Sequence, residues 1–194
     1  MTQPISMSLN DSVVIRRLWL HERELWQDHL LRLNPVDRRN RFAGAVNDDF
    51  IRSYCGRDEP LGTTLIGAFV DGELRGVAEF RLLDQDWPRR AELAFSVEEG
   101  FQGRGIGSEL FRRMVMFSRN RSVQKVYIST EPSNDRMRAV ARKFGMELST
   151  SYGEVEGRLE VFWPDYASYM EEFMAEGTAL LQEAGNRLMR WPAA

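Results

Sequence analysis

The chain has 194 residues and a mass of 22.5 kDa, and 43% of its side chains are hydrophobic while 28% are charged. This balance is typical of one soluble globular domain and excludes collagen-like, disordered and disulfide-scaffold proteins. Because 26 basic residues are outnumbered by 29 acidic ones, the net charge of −3 argues against a nucleic-acid partner. With one cysteine and no apolar run of about 20 residues, the chain is expected to be cytoplasmic and to make no membrane contact.

The first part of the chain predicts one strand followed by short helices. The order of β-forming residues and helically spaced apolar residues places a strand at residues 13–18 and helices at residues 20–33, 35–42 and 47–54. Asn34 can cap the second helix, Pro35 suits its first position, and Asp37 brings negative charge to the positive end of the helix dipole. These three residues therefore mark the start of that helix.

Three strands are predicted in the middle of the chain, at residues 63–70, 73–83 and 90–97. The Asp71-Gly72 dipeptide favours a two-residue hairpin turn between the first two, because both central residues of that turn need positive φ. In the third strand Leu93 and Phe95 lie on one apolar face, while Glu92 lies on the other. Because of the hairpin turn at Asp71-Gly72, the first two of these strands are expected to pair antiparallel.

The second half of the chain continues this alternation of helices and strands. An amphipathic helix is predicted at residues 105–121, a strand at 126–130, a helix from 133 to Gly145, and closing strands at 148–154 and 158–163. Together these elements indicate an α/β fold, with residues 1–163 as its domain.

Residues 164–194 are expected to form a C-terminal amphipathic helical extension. The apolar residues on one face of this helix are Tyr166, Tyr169, Met170, Phe173, Leu180, Leu181, Ala184 and Leu188. The other positions are rich in glutamate rather than basic, which argues against a membrane surface. We expect the apolar face to pack on its own domain or on a second subunit, so a homodimer is a hypothesis.

The segment Gln102-Gly103-Arg104-Gly105-Ile106-Gly107 lies between a predicted strand and a predicted helix. Glycines there allow successive main-chain N–H groups to point into one concavity, and a helix start favours an anion such as phosphate. Arg104 can add a charge-assisted hydrogen bond. A simple connecting turn is the alternative, but three alternate glycines favour the anion site. The spacing fits neither a P-loop nor a dinucleotide fingerprint.

This motif, Gln102-x-x-Gly105-x-Gly107, resembles the acyl-CoA pyrophosphate motif of the GNAT superfamily of N-acetyltransferases. The resemblance covers about residues 13–162 and implies a mixed, mostly antiparallel sheet flanked by helices. It also implies acetyl-CoA as co-substrate, no metal, and an asparagine that contacts the coenzyme near its thiol. The residues that it assigns to the coenzyme are Phe95, Ser96, Val97, Gln102, Gly103, Arg104, Gly105, Ile106, Gly107, Ser108 and Asn134.

Glu92 is the candidate general base. An amine with a pKa of about 10.4 must lose a proton before it attacks at neutral pH, and a carboxylate beside the site could take that proton directly or through water. The alternative is an ion pair of Glu92 with Arg81 or Arg90 on the sheet. The run 91–97, with Met137, resembles the catalytic domain of bacterial Pat-type protein lysine acetyltransferases, which implies that Glu92 is the base and that a protein lysine is the acceptor.

One departure from the family pattern keeps other functions open. Many members have a tyrosine that protonates the departing thiolate, and this chain has Ala141 at that position. One alternative is a small-molecule amine acetyltransferase, for which Glu79, Glu92 and Glu131 would form an acidic cleft. Another is a non-catalytic acyl-CoA-binding sensor.

Two residue types that often carry chemistry are expected to be structural. His21 and His29 are too far apart on one helix for a paired metal site, and one cysteine is too few for structural zinc. Cys55 is expected to be a small buried hydrophobic residue. The sequence therefore predicts no metal ion in the site.

Overall fold

A computed structural model describes residues 13–56, 62–84, 86–151 and 153–189. Within them one sheet contains β1 (Val13–Arg17), β2 (Thr63–Val70), β3 (Glu73–Leu82), β4 (Arg90–Val97), β5 (Lys125–Thr130), β6 (Glu147–Ser151) and β7 (Glu154–Glu160). The strand order is β1-β2-β3-β4-β5-β7-β6, and every neighbouring pair is antiparallel except β4 with β5. This confirms the predicted mixed, mostly antiparallel α/β sheet. The ends of the predicted domain and extension, 1–12 and 190–194, lie outside the described residues.

Helices cover both faces of the sheet. They are α1 (Arg23–Arg32), α2 (Pro35–Phe42), α3 (Asp48–Gly56), α4 (Ile106–Asn120), α5 (Asp135–Lys143) and α6 (Tyr166–Met189). On one face Leu110 and Phe111 of α4 join the larger core cluster, and on the other Trp26 and Leu30 of α1 join the smaller one. None of the helices in the described residues has the length and apolar composition that would let it cross a bilayer.

Short-range sequence signals placed several element ends correctly. The Asn34 side chain accepts a hydrogen bond from the Asp37 N–H at 2.8 Å, and Pro35 is the first residue of α2, as predicted. Asp71 and Gly72 have φ values of 50° and 80° and join β2 to β3 in a tight hairpin. The signals therefore fixed these boundaries because they act within a few residues.

Two predicted boundaries are wrong. The segment 20–33 is not one continuous helix: a 3₁₀ turn at Leu20–Glu22 precedes α1, because the Glu22 carboxylate accepts hydrogen bonds from the Trp19 N–H at 2.9 Å and from Arg16 at 2.7 Å. The closing strands are shifted relative to 148–154 and 158–163. Their hairpin turns at Gly153, so Glu154 already belongs to β7 and pairs with Ser151.

The helix α6 packs on the domain through its polar face. Glu172 is buried and accepts hydrogen bonds from Arg17 at 2.5 Å, Asn120 at 2.6 Å and Arg121 at 2.8 Å. Apolar side chains of α6 are exposed, with Tyr166 at 81% and Phe173 at 70%. Of the two alternatives for the apolar face, packing on its own domain does not occur for these residues, because β1 and the end of α4 present arginine and asparagine side chains to this helix; packing on a second subunit stays a prediction.

We predict that Glu172→Ala weakens the docking of α6. The variant leaves two guanidinium groups and one amide without their buried acceptor, so the free energy of unfolding should fall by about 2–3 kcal/mol. Chemical denaturation measures this change. The control is Glu171→Ala, which removes an exposed carboxylate paired with Arg112 and should change stability by less than about 1 kcal/mol. Equal effects of the two variants would contradict this role of Glu172.

Candidate active site

The sheet opens between β4 and β5. Their parallel ladder runs from the pair Arg90 and Lys125 to the pair Glu92 and Tyr127, whereas β4 continues to Val97. The Glu98 N–H, directly after β4, donates to the Arg75 carbonyl of β3 at 2.9 Å. Because N–H directions alternate along a strand, the N–H groups of residues 95 and 97 point the other way, into the opening. The end of β4 therefore presents main-chain donors to a ligand placed there.

A cradle of main-chain N–H groups lies next to this opening. Gly103 and Gly105 have φ values of 74° and 85°, which glycine adopts without the steric strain of other residues. The Glu109 N–H donates to the Gly105 carbonyl at 3.0 Å, so the N–H groups of residues 106–108 come before the first intrahelical bond of α4. They have the orientation and the dipole field that favour an anion.

The opening and the cradle form parts of one cleft with a volume of about 1160 Å³. Ten of the predicted coenzyme residues line it, namely Phe95, Ser96, Val97, Gln102, Gly103, Arg104, Gly105, Gly107, Ser108 and Asn134. The side chain of Ile106 packs in the core under α4, so its predicted contact with the coenzyme can be made only by its main-chain N–H.

Two of these polar side chains already have structural partners. The Gln102 amide donates to the Val97 carbonyl at 2.8 Å and to Asp37 at 3.0 Å, which links β4 to α2. Asn134 caps α5, because its Oδ1 accepts from the Met137 N–H at 3.1 Å while its Nδ2 donates to Thr130 Oγ1 at 2.8 Å. A direct contact between Asn134 and a coenzyme stays a prediction.

Glu92 lies on the face of β4 that is covered by α1 and α2. Phe95, three residues later on β4, lies on the opposite face, and its ring stacks on Phe111 of α4 with ring centroids 5.3 Å apart. The Glu92 carboxylate is 32% exposed and forms an ion pair with Arg81, its register partner on β3. Of the two ion pairs considered from the sequence, the one with Arg81 forms, while Arg90 bonds to Asp84 at 2.5 Å.

The three carboxylates that were considered for an acidic cleft each lie near an arginine. Glu79 is buried, pairs with Arg41 and accepts a hydrogen bond from the Tyr54 hydroxyl at 2.9 Å. Glu131 lies 3.9 Å from Arg39. With Glu92 bound to Arg81, each of the three carboxylates faces an arginine, so this region offers little net negative charge to a polycation. Sequence spacing shows the carboxylates but not these distant partners.

One buried polar cluster, formed by His29, Ser96 and Glu98, was not predicted from the sequence. His29 is fully buried, with Nδ1 3.1 Å from Glu98 Oε1 and Nε2 2.9 Å from Ser96 Oγ. Burial alone would raise the pKa of Glu98, but hydrogen bonds from His29, Arg32 and Arg75 lower it to about 2. Burial lowers the pKa of His29 below its ordinary value, although Glu98 opposes this shift. His29 is 67 positions before Ser96 and 69 positions before Glu98 in the chain, so no local sequence signal could have revealed these contacts.

The remaining candidates behave as buried core residues. Cys55 is buried, and burial raises the pKa of its thiol to about 12, so the neutral thiol dominates at neutral pH. Ala141 is also fully buried, and it has no hydroxyl that could act as an acid. Across residues 13–56, 62–84, 86–151 and 153–189, no group of three histidine, cysteine or acidic side chains is placed to hold a metal ion.

Comparison with known proteins decides the family. The sequence profile of the acetyltransferase (GNAT) family matches residues 17–146, about two thirds of the chain. The chain belongs to the GNAT family of acetyltransferases. As a GNAT protein it is an acyltransferase, and its closing strands and α6 lie beyond the matched segment.

Individual GNAT relatives are distant. A Pseudomonas aeruginosa protein named Acetyltransferase PA5475 is 26% identical over 146 residues, which cover 71% of this chain and 77% of the relative. The crystal structure of the GNAT domain of S. lividans PAT superposes with a TM-score of 0.64 at 18% identity, covering 76% of this chain and 89% of that one. The PaiA N-acetyltransferase of Thermoplasma acidophilum, solved with coenzyme A, gives a TM-score of 0.58 at 17% identity, with 77% and 99% covered. These two structural similarities show the fold.

The cradle can be tested with Gly107→Val. A Cβ at Gly107 meets no atom within 4 Å, so the valine side chain would project into the cleft without straining the fold. If the coenzyme pyrophosphate binds here, its affinity should fall at least about tenfold, or about 1.4 kcal/mol. Calorimetry with coenzyme A measures this, with thermal unfolding as the check on folding.

Gly100→Val is the matched control for this experiment. Gly100 also has open space around its Cβ position, but it does not line the cleft. Its replacement should leave coenzyme affinity unchanged. A Gly107→Val protein that is folded and binds coenzyme A as tightly as the wild type would show that the cradle does not hold the pyrophosphate.

Proposed function

We propose that this protein is an acetyl-CoA-dependent N-acetyltransferase that passes an acetyl group directly to a primary amine in a ternary complex. The observation that carries the proposal is the opening between β4 and β5, which leads without a break into the amide cradle at the start of α4. An extended thioester arm fits the opening between β4 and β5, and a diphosphate fits the amide cradle. The coenzyme A complex of the T. acidophilum relative supports this coenzyme.

In this mechanism, main-chain N–H groups make most of the contacts with the coenzyme. The N–H groups of Phe95 and Val97 polarise the thioester carbonyl, and those of residues 103–108 hold the pyrophosphate. Arg104 lines the same cleft and adds positive charge near the phosphates. Holding the thioester beside the amine supplies much of the rate enhancement, and no step requires a metal ion.

Glu92 is the proposed general base. Deprotonating a lysine-like amine at neutral pH costs roughly 4–5 kcal/mol, which a base can offset. Glu92 and Phe95 are three residues apart, or about 10 Å along the strand, so the proton would travel through water. Arg81 holds the carboxylate on the face where the amine approaches.

We propose a protein lysine as the acceptor. The run 91–97 resembles Pat-type enzymes, and the fold matches the GNAT domain of S. lividans PAT. The arginine partners of Glu79, Glu92 and Glu131 weaken the case for a polyamine. A small-molecule amine, such as an amino acid or an antibiotic, is the alternative acceptor, and neither acceptor involves a nucleic acid or a membrane.

Glu92→Gln should lower turnover about 100-fold while the KM for acetyl-CoA changes less than about twofold, because the amide cannot accept the proton. Steady-state thiol release with protein and amine acceptors measures both constants. Glu160→Gln is the control. It removes an exposed carboxylate that lies 2.7 Å from Arg158 and does not line the cleft. Wild-type turnover in Glu92→Gln would assign the base elsewhere. Coenzyme binding without transfer to any acceptor would favour the sensor function.

We further propose that residues 1–163 are the catalytic domain and that residues 164–194 join two copies of the chain. The apolar face of α6 includes Tyr166, Phe173 and Leu181, all mostly exposed, and a two-fold axis across it would pair like with like. The single cysteine, Cys55, is free and buried, which suits a reducing cytoplasm.

Phe173→Glu should convert a dimer into a monomer, because it places a charge in the centre of the proposed apolar contact. Light scattering over a range of concentrations measures the mass. Gln182→Glu is the control: it adds the same charge at an exposed position off the apolar face and should leave the mass unchanged. A monomeric wild-type protein at every concentration would remove the dimer.

A further inference from the structure

Ser96, His29 and Glu98 are arranged as a nucleophile, a base and an orienting carboxylate. Ser96 Oγ lies 2.9 Å from His29 Nε2, and His29 Nδ1 lies 3.1 Å from Glu98 Oε1. A hydroxyl within hydrogen-bond reach of an imidazole that is itself held by a carboxylate is the arrangement that activates serine for acyl transfer. Such groups are recognised by geometry rather than by sequence order.

The protonation states favour the same direction of proton transfer. Glu98 is ionised at neutral pH because its pKa is about 2, so the His29 proton resides on Nδ1 and points to that carboxylate. Burial lowers the pKa of His29, which keeps the ring neutral. His29 Nε2 is then an acceptor, and the Ser96 hydroxyl donates to it. The Ser96 oxygen gains nucleophilic character as a result.

The position of Ser96 separates this cluster from an ordinary buried histidine contact. Ser96 lines the cleft, although it is only 8% exposed, and the N–H groups of Phe95 and Val97 on either side point into the opening. These two donors are placed to stabilise an oxyanion next to Ser96 Oγ. Glu92, by contrast, is four residues and about 13 Å away along the strand.

We propose that Ser96 is a nucleophile that accepts the acetyl group of a bound acetyl-CoA, so that the protein also hydrolyses short acyl-CoA thioesters when no amine is bound. This inference rests on the proposed coenzyme site. It adds a covalent route to the direct transfer described above. The substrate class is a short acyl thioester, and water is the second reactant.

The steps balance with the residues present. Ser96 Oγ bonds to the thioester carbonyl carbon while His29 Nε2 takes the hydroxyl proton. The carbon–sulfur bond then breaks, and His29 returns the proton to sulfur, which gives the coenzyme thiol and O-acetyl-Ser96. Water then attacks this ester while His29 Nε2 takes a water proton, the carbon–Oγ bond breaks, and His29 returns the proton to Ser96 Oγ; the acetic acid released ionises to acetate and a proton. His29 thus supplies the leaving-group proton that Ala141 cannot.

The test uses the full-length protein and acetyl-CoA without any amine. The expected result is an acetyl adduct on the peptide that contains Ser96, removable by hydroxylamine, together with steady release of coenzyme thiol. Hydroxylamine separates this ester from amide adducts at the amino terminus or at Lys125 and Lys143, the only two lysines of the sequence. Ser96→Ala should lose the ester and lower thiol release at least tenfold.

Matched variants make the outcome decisive. Ser149→Ala changes an exposed serine on β6 and should behave as the wild type. His29→Gln keeps hydrogen-bonding groups in the buried space but has no base, so kcat for hydrolysis should fall at least tenfold while the KM for acetyl-CoA stays unchanged. Should His29→Gln fail to fold, the Ser96→Ala result and the mapped ester decide the question.

Calorimetry with coenzyme A on the same samples separates this inference from the proposed function. Coenzyme binding with no ester, and with equal thiol release in the wild type and Ser96→Ala, would overturn the inference while the coenzyme site stands. No coenzyme binding at all would overturn both.

Discussion

Beyond Glu92, β4 continues for five residues without a partner in β5. A continuous parallel ladder would consume the N–H groups of Phe95 and Val97, but pairing stops at Glu92. Phe111 of α4 packs against this end of β4, because its fully buried ring stacks on Phe95 at 5.3 Å and on Phe144, directly after α5, at 4.7 Å. The apolar face of β4 is thus packed in the core where its main-chain N–H groups have no partner on β5.

The same opening explains why the polar side chains around it are so extensively bonded. Gln102 links the Val97 carbonyl to Asp37 and also accepts a hydrogen bond from Arg136 of α5, so one amide joins both walls of the cleft. On the other face, His29 and Arg32 of α1 both bond to Glu98, directly after β4. Where the sheet lacks ladder hydrogen bonds, these side chains fix the end of β4 instead.

Features set by near neighbours could be predicted from the sequence, and features set by distant partners could not. The Gln102–Gly107 motif and the Asn34 cap depend on residues a few positions apart, and the structure has both where they were expected. The amphipathic pattern of α6 identified its apolar face but could not show that β1 and α4 offer arginine and asparagine to it. The partners of His29 and Glu79 come from other strands and helices, so no spacing rule could connect them.

The helix α6 docks on the domain away from the amide cradle. It bonds to Arg17 of β1 and to Asn120 and Arg121 at the carboxyl end of α4. The cradle lies at the opposite end of α4, and a helix of 15 residues is about 22 Å long. The hydrogen bonds of Glu172 therefore hold α6 at the end of α4 that lies away from the amide cradle.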